Sequence, residues 1–379
     1  MTSRILAAAV AVTLAIGALV VGAAAALAST VNKTVSYQCD FPVLGSWEVP
    51  VAYTLDIPDS AAAGARIVNG DLSMVALLDK QLVSALTLVQ VAAVNGTATV
   101  DITAGHGGAV ATFGMPGFVI PQQTLPMNEM LLQIYGSVPS MVVYHQGGVP
   151  ITTGQEIVLR LETRQANGEL SPLGVIDVPC MALAMQDRTL KVVSVAGNLA
   201  NQPGLGNQFP GGSLSKPLTY SCVFPQIGAT DVATTWTGSV PASGAHGTRV
   251  QPTLTVTATV PPAFATVLRN NNAAKVSGTG RVDVFSTYDW DGMTLGVPSK
   301  VPSVPVPPAG TAMTMTFPLA MPSFSIPVAG SIASAAGPGF SGTLTPLKAN
   351  DTGTALGAFT VPCTLKPGQN PALGTITIT

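Results

Sequence analysis

A chain of 379 residues with 16 Lys+Arg against 18 Asp+Glu, 9% charged residues in all and a formal net charge of -2, has no basic field with which to hold a phosphate backbone, so nucleic acid is excluded as a partner. Its 47% apolar content excludes disorder through low hydrophobicity, and its length accommodates two or three domains. These quantities fix a class rather than a chemistry.

In chain order, the first feature is an uncharged run from Ile5 to Ala28 that follows Arg4 and closes on Ala26-Leu27-Ala28, the small-x-small pattern of a signal-peptidase site. Residues 1–28 are read as a signal peptide, with a mature chain starting at Ser29. The alternative is a retained anchor, because the run is long enough to span a bilayer. Ala and Gly dominate it, Gly17 and Gly22 weaken a helix, and no basic cluster follows, all of which favour cleavage. The expectation is a secreted or extracellular protein with no transmembrane span after cleavage, with retention at the cell envelope left open.

The rest of the chain repeats itself. Cys39 and Cys180 are related to Cys222 and Cys363 by a constant offset, and the same register carries Tyr37, Phe41, Pro42 and Gly45 onto Tyr220, Phe224, Pro225 and Gly228. Gly64 and Arg66 fall on Gly247 and Arg249, Pro139-Ser140 on Pro322-Ser323, and Val178-Pro179-Cys180 on Val361-Pro362-Cys363. Midway the offset slips by one, so that Gly96, Val100 and Asp101 meet Gly278, Val282 and Asp283. The reading is one repeat over 31–196 and a second over 215–379. Between them, 197–214 is rich in Asn, Gln, Pro and Gly without a hydrophobic period and is read as a flexible linker.

Within each copy, alternation puts Val35, Tyr37, Cys39 and Phe41 on one face, as it does Leu218, Tyr220, Cys222 and Phe224. Val49, Val51, Tyr53, Leu55 and Ile57 form a second strand, with Val232, Thr234, Trp236 and Val240 as its counterpart, and Tyr53 and Trp236 share one core position. The stretch Leu72 to Val89 breaks the period with Val75, Leu78, Leu82, Leu86 and Val89 and suggests a short helix, matched after Pro261-Pro262 by Phe264, Val267 and Leu268. Val297 to Pro308, dense in Pro, reads as a loop or an edge. The fold class expected is mainly β: two tandem antiparallel sandwiches of immunoglobulin-like shape, each with a short helix. Equal spacing selects the bridges Cys39–Cys180 and Cys222–Cys363 among three possible pairings, each joining the first and penultimate strands inside a sandwich, and such bridges fit an oxidising compartment.

The Tyr-x-Cys-x-Phe-Pro opening, the late Val-Pro-Cys and the segment Cys363-Thr364-Leu365-Lys366-Pro367-Gly368-Gln369-Asn370 together resemble a family of secreted actinobacterial repeat domains with no characterised function. The match is tighter in the second copy, since the first has Met181-Ala182-Leu183 where Thr-Leu-x-Pro-Gly would stand. The resemblance implies an exported, disulfide-bonded, repeated module of the cell envelope or extracellular space. It carries over no catalytic residue.

No catalytic, cofactor-binding or metal site emerges from the residues. His106, His145 and His246 are unmatched between copies and sit outside any metal-ligand spacing, which makes them loop histidines. Asp101 and Asp283 are matched but read as solvated or turn-bonded carboxylates. Arg66 and Arg249 are matched cations that could bind an anion but are better read as pairing with the matched aspartate or bonding loop carbonyls. Asp289-Trp290-Asp291-Gly292 has no counterpart in the first copy and reads as a loop tip. The leading reading is a non-enzymatic module that contacts a cell-wall polymer or surface protein, its two copies gaining avidity through the linker. The alternative is a carrier of apolar small molecules or lipids, which would need a hydrophobic cavity; a hydrolase is the least favoured, because duplication has kept scaffold rather than a polar reaction centre.

Overall fold

A computed structural model describes residues 28–67, 71–288 and 291–379. The expected signal peptide lies outside the described residues except for Ala28, where the first strand begins. Among the described residues no helix is long and apolar enough to cross a membrane.

The first repeat runs through β1 (Ala28–Phe41), β2 (Gly45–Pro58), β3 (Ser60–Ala62), β4 (Arg66–Ile67), β5 (Asp71–Leu78), α1 (Lys80–Leu88), β6 (Ala93–His106), β7 (Ala109–Thr124), β8 (Met130–Ser137), β9 (Ser140–Val143), β10 (Gly147–Arg164), β11 (Leu170–Ala182) and β12 (Thr189–Ala196). The second follows the same plan with β13 (Gly212–Phe224), β14 (Gly228–Val240), β15 (Ser243–Gly244), β16 (Thr253–Val260), α2 (Pro262–Asn270), β17 (Lys275–Tyr288), β18 (Asp291–Pro305), β19 (Met313–Pro318), β20 (Ser323–Ser325), β21 (Gly330–Leu347), β22 (Phe359–Leu365) and β23 (Ala372–Ile378).

The architecture is mainly β, but the immunoglobulin-like sandwich is corrected to a barrel in the first repeat. Strands β11, β1, β2, β5, β8, β7, β6 and β10 are neighbours in that order, and β10 pairs again with β11, Leu159 opposite Val178, which closes the ring. In the second repeat the counterpart strands keep the same order, with β18 meeting β19 through a bridge from Ser299 to Leu319. Period-two alternation is common to both architectures, so it could not decide between them. Closure rests on β10 pairing along both edges while bulges between Thr153 and Ile157 and between Glu162 and Arg164 bend it.

Cys39 and Cys180 are bonded, as are Cys222 and Cys363. Each bridge ties residues directly opposed on neighbouring strands, β1 with β11 and β13 with β22, and not two facing sheets as a sandwich would require. Tyr53 and Trp236 share one core site as their alternation implies, both buried.

The stretch from Leu72 to Val89 divides in two. Leu72, Met74, Ala76 and Leu78 alternate inward on β5, and helix begins only after Asp79, whose side chain accepts from the Leu82 amide at 2.8 Å as an N-cap. Leu82, Val83 and Leu86 then bury in the core of the first repeat. The counterpart helix opens at Pro262, where a missing N–H costs nothing, and buries Phe264 and Leu268. Val297 to Val304 is strand: it pairs with β17 on one side and on the other meets the end of β19 through the Ser299–Leu319 bridge, the Ala320 amide on the Pro298 carbonyl and Ser299 Oγ on the Pro318 carbonyl, so the proline-rich run is an edge with few ladder bonds.

The two repeats exchange arms. The short strand β9 of the first repeat adds to β18 of the second, Val143 opposite Met293 and Ser140 opposite Gly296. In return β20 of the second repeat adds to β7 of the first, Ser323 opposite Gly114 and Ser325 opposite Thr112. Each arm is held from behind by its own repeat: Ile67 lies opposite Met141, and its counterpart Val250 bridges Phe324. The segment 197–214, expected as a flexible linker, is seated along this junction. The Leu199 amide donates to the Tyr144 carbonyl at 2.8 Å and the Gly211 amide to Thr375 at 2.9 Å. Leu205 packs against an apolar cluster of Val142 and Tyr144 from the first repeat with Phe285 and Ala335 from the second.

Candidate functional site at the junction of the repeats

The polar residues that the two copies share meet at this junction, and they pair crosswise. Arg66 Nη2 donates to Asp283 Oδ2 at 2.7 Å and its Nη1 to Ser140 Oγ at 3.0 Å. Arg249 Nη2 donates to both oxygens of Asp101, at 2.8 and 2.6 Å, and its Nη1 to Ser323 Oγ at 3.4 Å. An arginine of each repeat thus crosses to the aspartate of the other and takes the serine of its own exchanged arm.

Neither aspartate is solvated, which corrects the sequence reading; Asp101 is 3% exposed and Asp283 4%. The reason lies in the strand opposite. Val100 faces Ile157 and Ile102 faces Thr153, so Asp101 lies across from the bulged residues of β10, and a matching irregularity on β21 isolates Asp283 between Val282 and Val284. The bulge bends the neighbouring strand away and the arm of the other repeat covers the gap. Burial pushes both carboxyls above the ordinary carboxylate range, against the pull of Arg249 on Asp101 and of Arg66 on Asp283.

Glycines make room for the crossing. A Cβ on Gly114 would stand 2.5 Å from Arg249 Nη1 and from Ser323 Oγ; one on the matched Gly296 would stand 2.5 Å from Arg66 Nη1 and 2.4 Å from Ser140 Oγ. A side chain at either position would crowd the guanidinium where Nη1 meets the serine of its own arm.

The two crossings are not identical. At Asp101 a second carboxylate joins, with Arg249 Nη2 donating to Glu156 at 2.8 Å. The residue at that place in the second repeat is Gly339: Glu156 lies opposite Met181 and Gly339 opposite Thr364, one position beyond the matched Cys180 and Cys363. Arg281 stands where the first repeat has Thr99, since Thr99 faces Val158 and Arg281 faces its counterpart Ser341. Arg66, Arg281, Asp283, Gly339 and Ser341 line a polar pocket of about 170 Å³.

A second cavity, of about 120 Å³, lies between the barrels and is apolar. Ala104, Val110, Ala111 and Phe113 supply one wall from the first repeat, while Leu254, Val284, Leu295 and Ile376 are among the residues lining it from the second. His106, at the end of β6, also lines it. His145 shares a hydrogen bond of 2.7 Å with the Gln202 side chain, and exposed His246 contacts the Thr379 carbonyl through Nδ1 at 2.9 Å. Asp289 and Trp290 lie outside the described residues, while Gly292 packs against Phe285. Among the described residues no group of three or more His, Cys, Asp or Glu is placed to hold a metal ion.

Sequence reasoning singled out Arg66, Arg249, Asp101 and Asp283 and expected arginine to pair with the matched aspartate. It missed the crossing, and it missed Glu156 and Arg281, which have no match of their own type in the other copy. The signal available was the mismatch itself, a charge present once at a position shared by both copies.

A model of a family of unknown function, DUF6801, matches residues 36–191 and again 219–374. No curated protein matches the chain. A solved structure described provisionally as a membrane anchored protein from Corynebacterium diphtheriae aligns over 93% of this chain and 97% of its own, at 9% identity and a TM-score of 0.24, below the level at which a shared fold follows.

Proposed function

The chain belongs to the DUF6801 family of unknown function, matched once in each repeat, and from that premise we propose that it is an exported, non-catalytic module of the cell envelope or extracellular space, working by contact with a wall polymer or surface protein. The observation that supports this most is the use made of the shared polar residues: Arg66 with Asp283 and Arg249 with Asp101 hold one repeat to the other. Groups spent on joining two barrels are not available as a duplicated acid–base pair. The disulfide in each repeat accords with an oxidising compartment. In place of avidity between loosely tethered copies, the contact surface is one presented jointly by two repeats that exchange arms.

The test is direct. Purified protein is incubated with isolated envelopes and recovered by sedimentation, and a panel of ester, glycoside and peptide substrates is assayed in parallel. Sedimentation with envelopes and no turnover is expected. Turnover that disappears in Asp101→Asn or Asp283→Asn would overturn the non-catalytic reading.

The apolar cavity favours a second reading, binding of an apolar molecule between the barrels. At about 120 Å³ it takes a ring or a short alkyl tail, whereas pockets that enclose a drug-sized molecule run to about 300–1,000 Å³. A whole lipid therefore does not fit, and the reading narrows to the end of a chain. Displacement of a fluorescent fatty-acid probe, lost on Ala111→Trp, is the measurement that decides it.

A further inference from the structure

The unequal crossings carry an inference of their own. At the first, one guanidinium is met by two carboxylates, Asp101 and Glu156, and the group has a net charge of minus one. At the second, two guanidinium groups, Arg66 and Arg281, stand beside the single carboxylate of Asp283, and the net charge is plus one. Arg66 and Arg281 are neighbours: a Cβ on Gly296 would meet Arg66 Nη1 at 2.5 Å and Arg281 Cδ at 2.7 Å. Where the first crossing has the Glu156 side chain, the second has Gly339, and there the pocket lies, lined by both arginines. Burial lowers the affinity of Arg281 for its proton, as does the positive charge of Arg66 beside it, so the pair is held together against its own repulsion.

We propose that the pocket lined by Arg66, Arg281 and Gly339 is a carboxylate-binding site, in which a ligand's carboxylate takes the place that the Glu156 side chain fills at the other crossing. The protein carries its own template for the bound state, since Glu156 accepts from Arg249 at 2.8 Å beside the aspartate that Arg249 already holds. A guanidinium fork suits a planar carboxylate, and a second arginine offsets the charge of Asp283. The site does not depend on the envelope role proposed above and is tested separately from it.

The experiment uses the exported chain with sodium acetate as probe, against sodium chloride at equal ionic strength, read by melting temperature and by line broadening of carbon-labelled acetate. Acetate is expected to raise the melting temperature and to broaden, with chloride doing neither. Arg281→Thr, which installs the residue of the other repeat, should weaken acetate binding at least tenfold, while Arg281→Lys, which keeps the charge, should retain most of it. A second arm titrates N-acetyl-glutamate amide. Tighter binding than acetate assigns the carboxylate to a protein side chain, and equal binding assigns it to a small free anion. Acetate acting no differently from chloride, or binding unchanged in Arg281→Thr, would overturn the site whatever envelope binding shows.

Discussion

Arg249 of the second repeat and Asp101 of the first, 148 residues apart, are joined by two hydrogen bonds at a carboxyl that is 3% exposed. The matched pair Arg66 and Asp283 runs the other way across the same junction. Two repeats that each fold around their own core are thereby fastened by arginines that bond at once to a serine of their own repeat and to the aspartate of the other.

Coupling energies should report this crossing. Breaking a buried ion pair costs about 3–5 kcal/mol, and solvent reach at Arg249, which is about a third exposed, brings the expectation for Asp101→Ala to about 2 kcal/mol by urea unfolding. Arg249→Ala added to Asp101→Ala should cost little more, whereas Arg66→Ala added to it should cost its full share. Coupling of Asp101 to Arg66 in place of Arg249 would contradict the crossed arrangement.

The sequence made the repeat, the two bridges and the inward faces legible because each leaves a mark along the chain: equal cysteine spacing, alternation at Val35 to Phe41, a proline before α2. It could not show the crossing, for a physical reason. When both copies carry the same Arg, Asp and Ser at the same positions, pairing within a copy and pairing between copies satisfy the same chemistry. Only the geometry of the arms, β9 laid on β18 and β20 on β7, selects the second. Barrel closure was hidden likewise: the bulges opposite Asp101 and Asp283 are marked along the chain by a matched glycine in each copy, Gly154 and Gly337, and a bulge glycine serves an open sheet as well as a closed one.

Each disulfide closes a separation of 141 residues. The chain-entropy account gives up to about 5 kcal/mol for such a loop, with measured effects about 2–5 kcal/mol. Replacing Cys39 and Cys180 together by Ser should lower stability within that range, and non-reducing peptide maps of the parent should recover only the two bridges within repeats. A Cys39–Cys222 peptide would contradict them.

Two sets of carboxyls should respond oppositely to acid. Asp101 and Asp283 titrate above their ordinary value when folded, so the folded state holds their protons where the unfolded chain has lost them. The stability this contributes is full below the ordinary value and is lost as pH rises through the raised ones. Asp187 is lowered to about 2 by its bond from Lys33 and by the Thr189 amide. Its contribution is full above the ordinary value and is lost as pH falls towards about 2. Carboxyl-carbon NMR should place Asp187 lowest of the three, and Lys33→Met should move it up while leaving Asp101 in place.

Gly296→Ala offers a test that removes no charge. The new methyl would stand 2.5 Å from Arg66 Nη1 and 2.4 Å from Ser140 Oγ, so it displaces the bond between those two side chains, the one that seats the guanidinium whose Nη2 reaches Asp283. Melting temperature should fall as far as in Arg66→Ala, and the two changes combined should cost no more than either alone. Additive losses would mean that Gly296 matters for the strand and not for the crossing.

The exchange of arms also bears on what cutting the chain will do. The segment 197–214 is largely exposed at its residues 197–201, and a protease should enter there first, because few side chains have to leave a core for the backbone to fit an active site. In a pair of tethered domains that single cut would release two fragments of similar mass. Here the nicked protein should elute from gel filtration as one species, since β9 remains on β18, β20 remains on β7, and both crossed ion pairs are intact. Separation should require high salt together with Asp101→Ala, which opens one crossing while screening weakens the partly exposed arginine of the other. Either repeat produced alone should expose the apolar faces around Phe113 or Leu295 and bind a hydrophobic dye that the whole chain does not. Fragments that part on cleavage without further treatment would show that the arms contribute little, and would restore two independent domains.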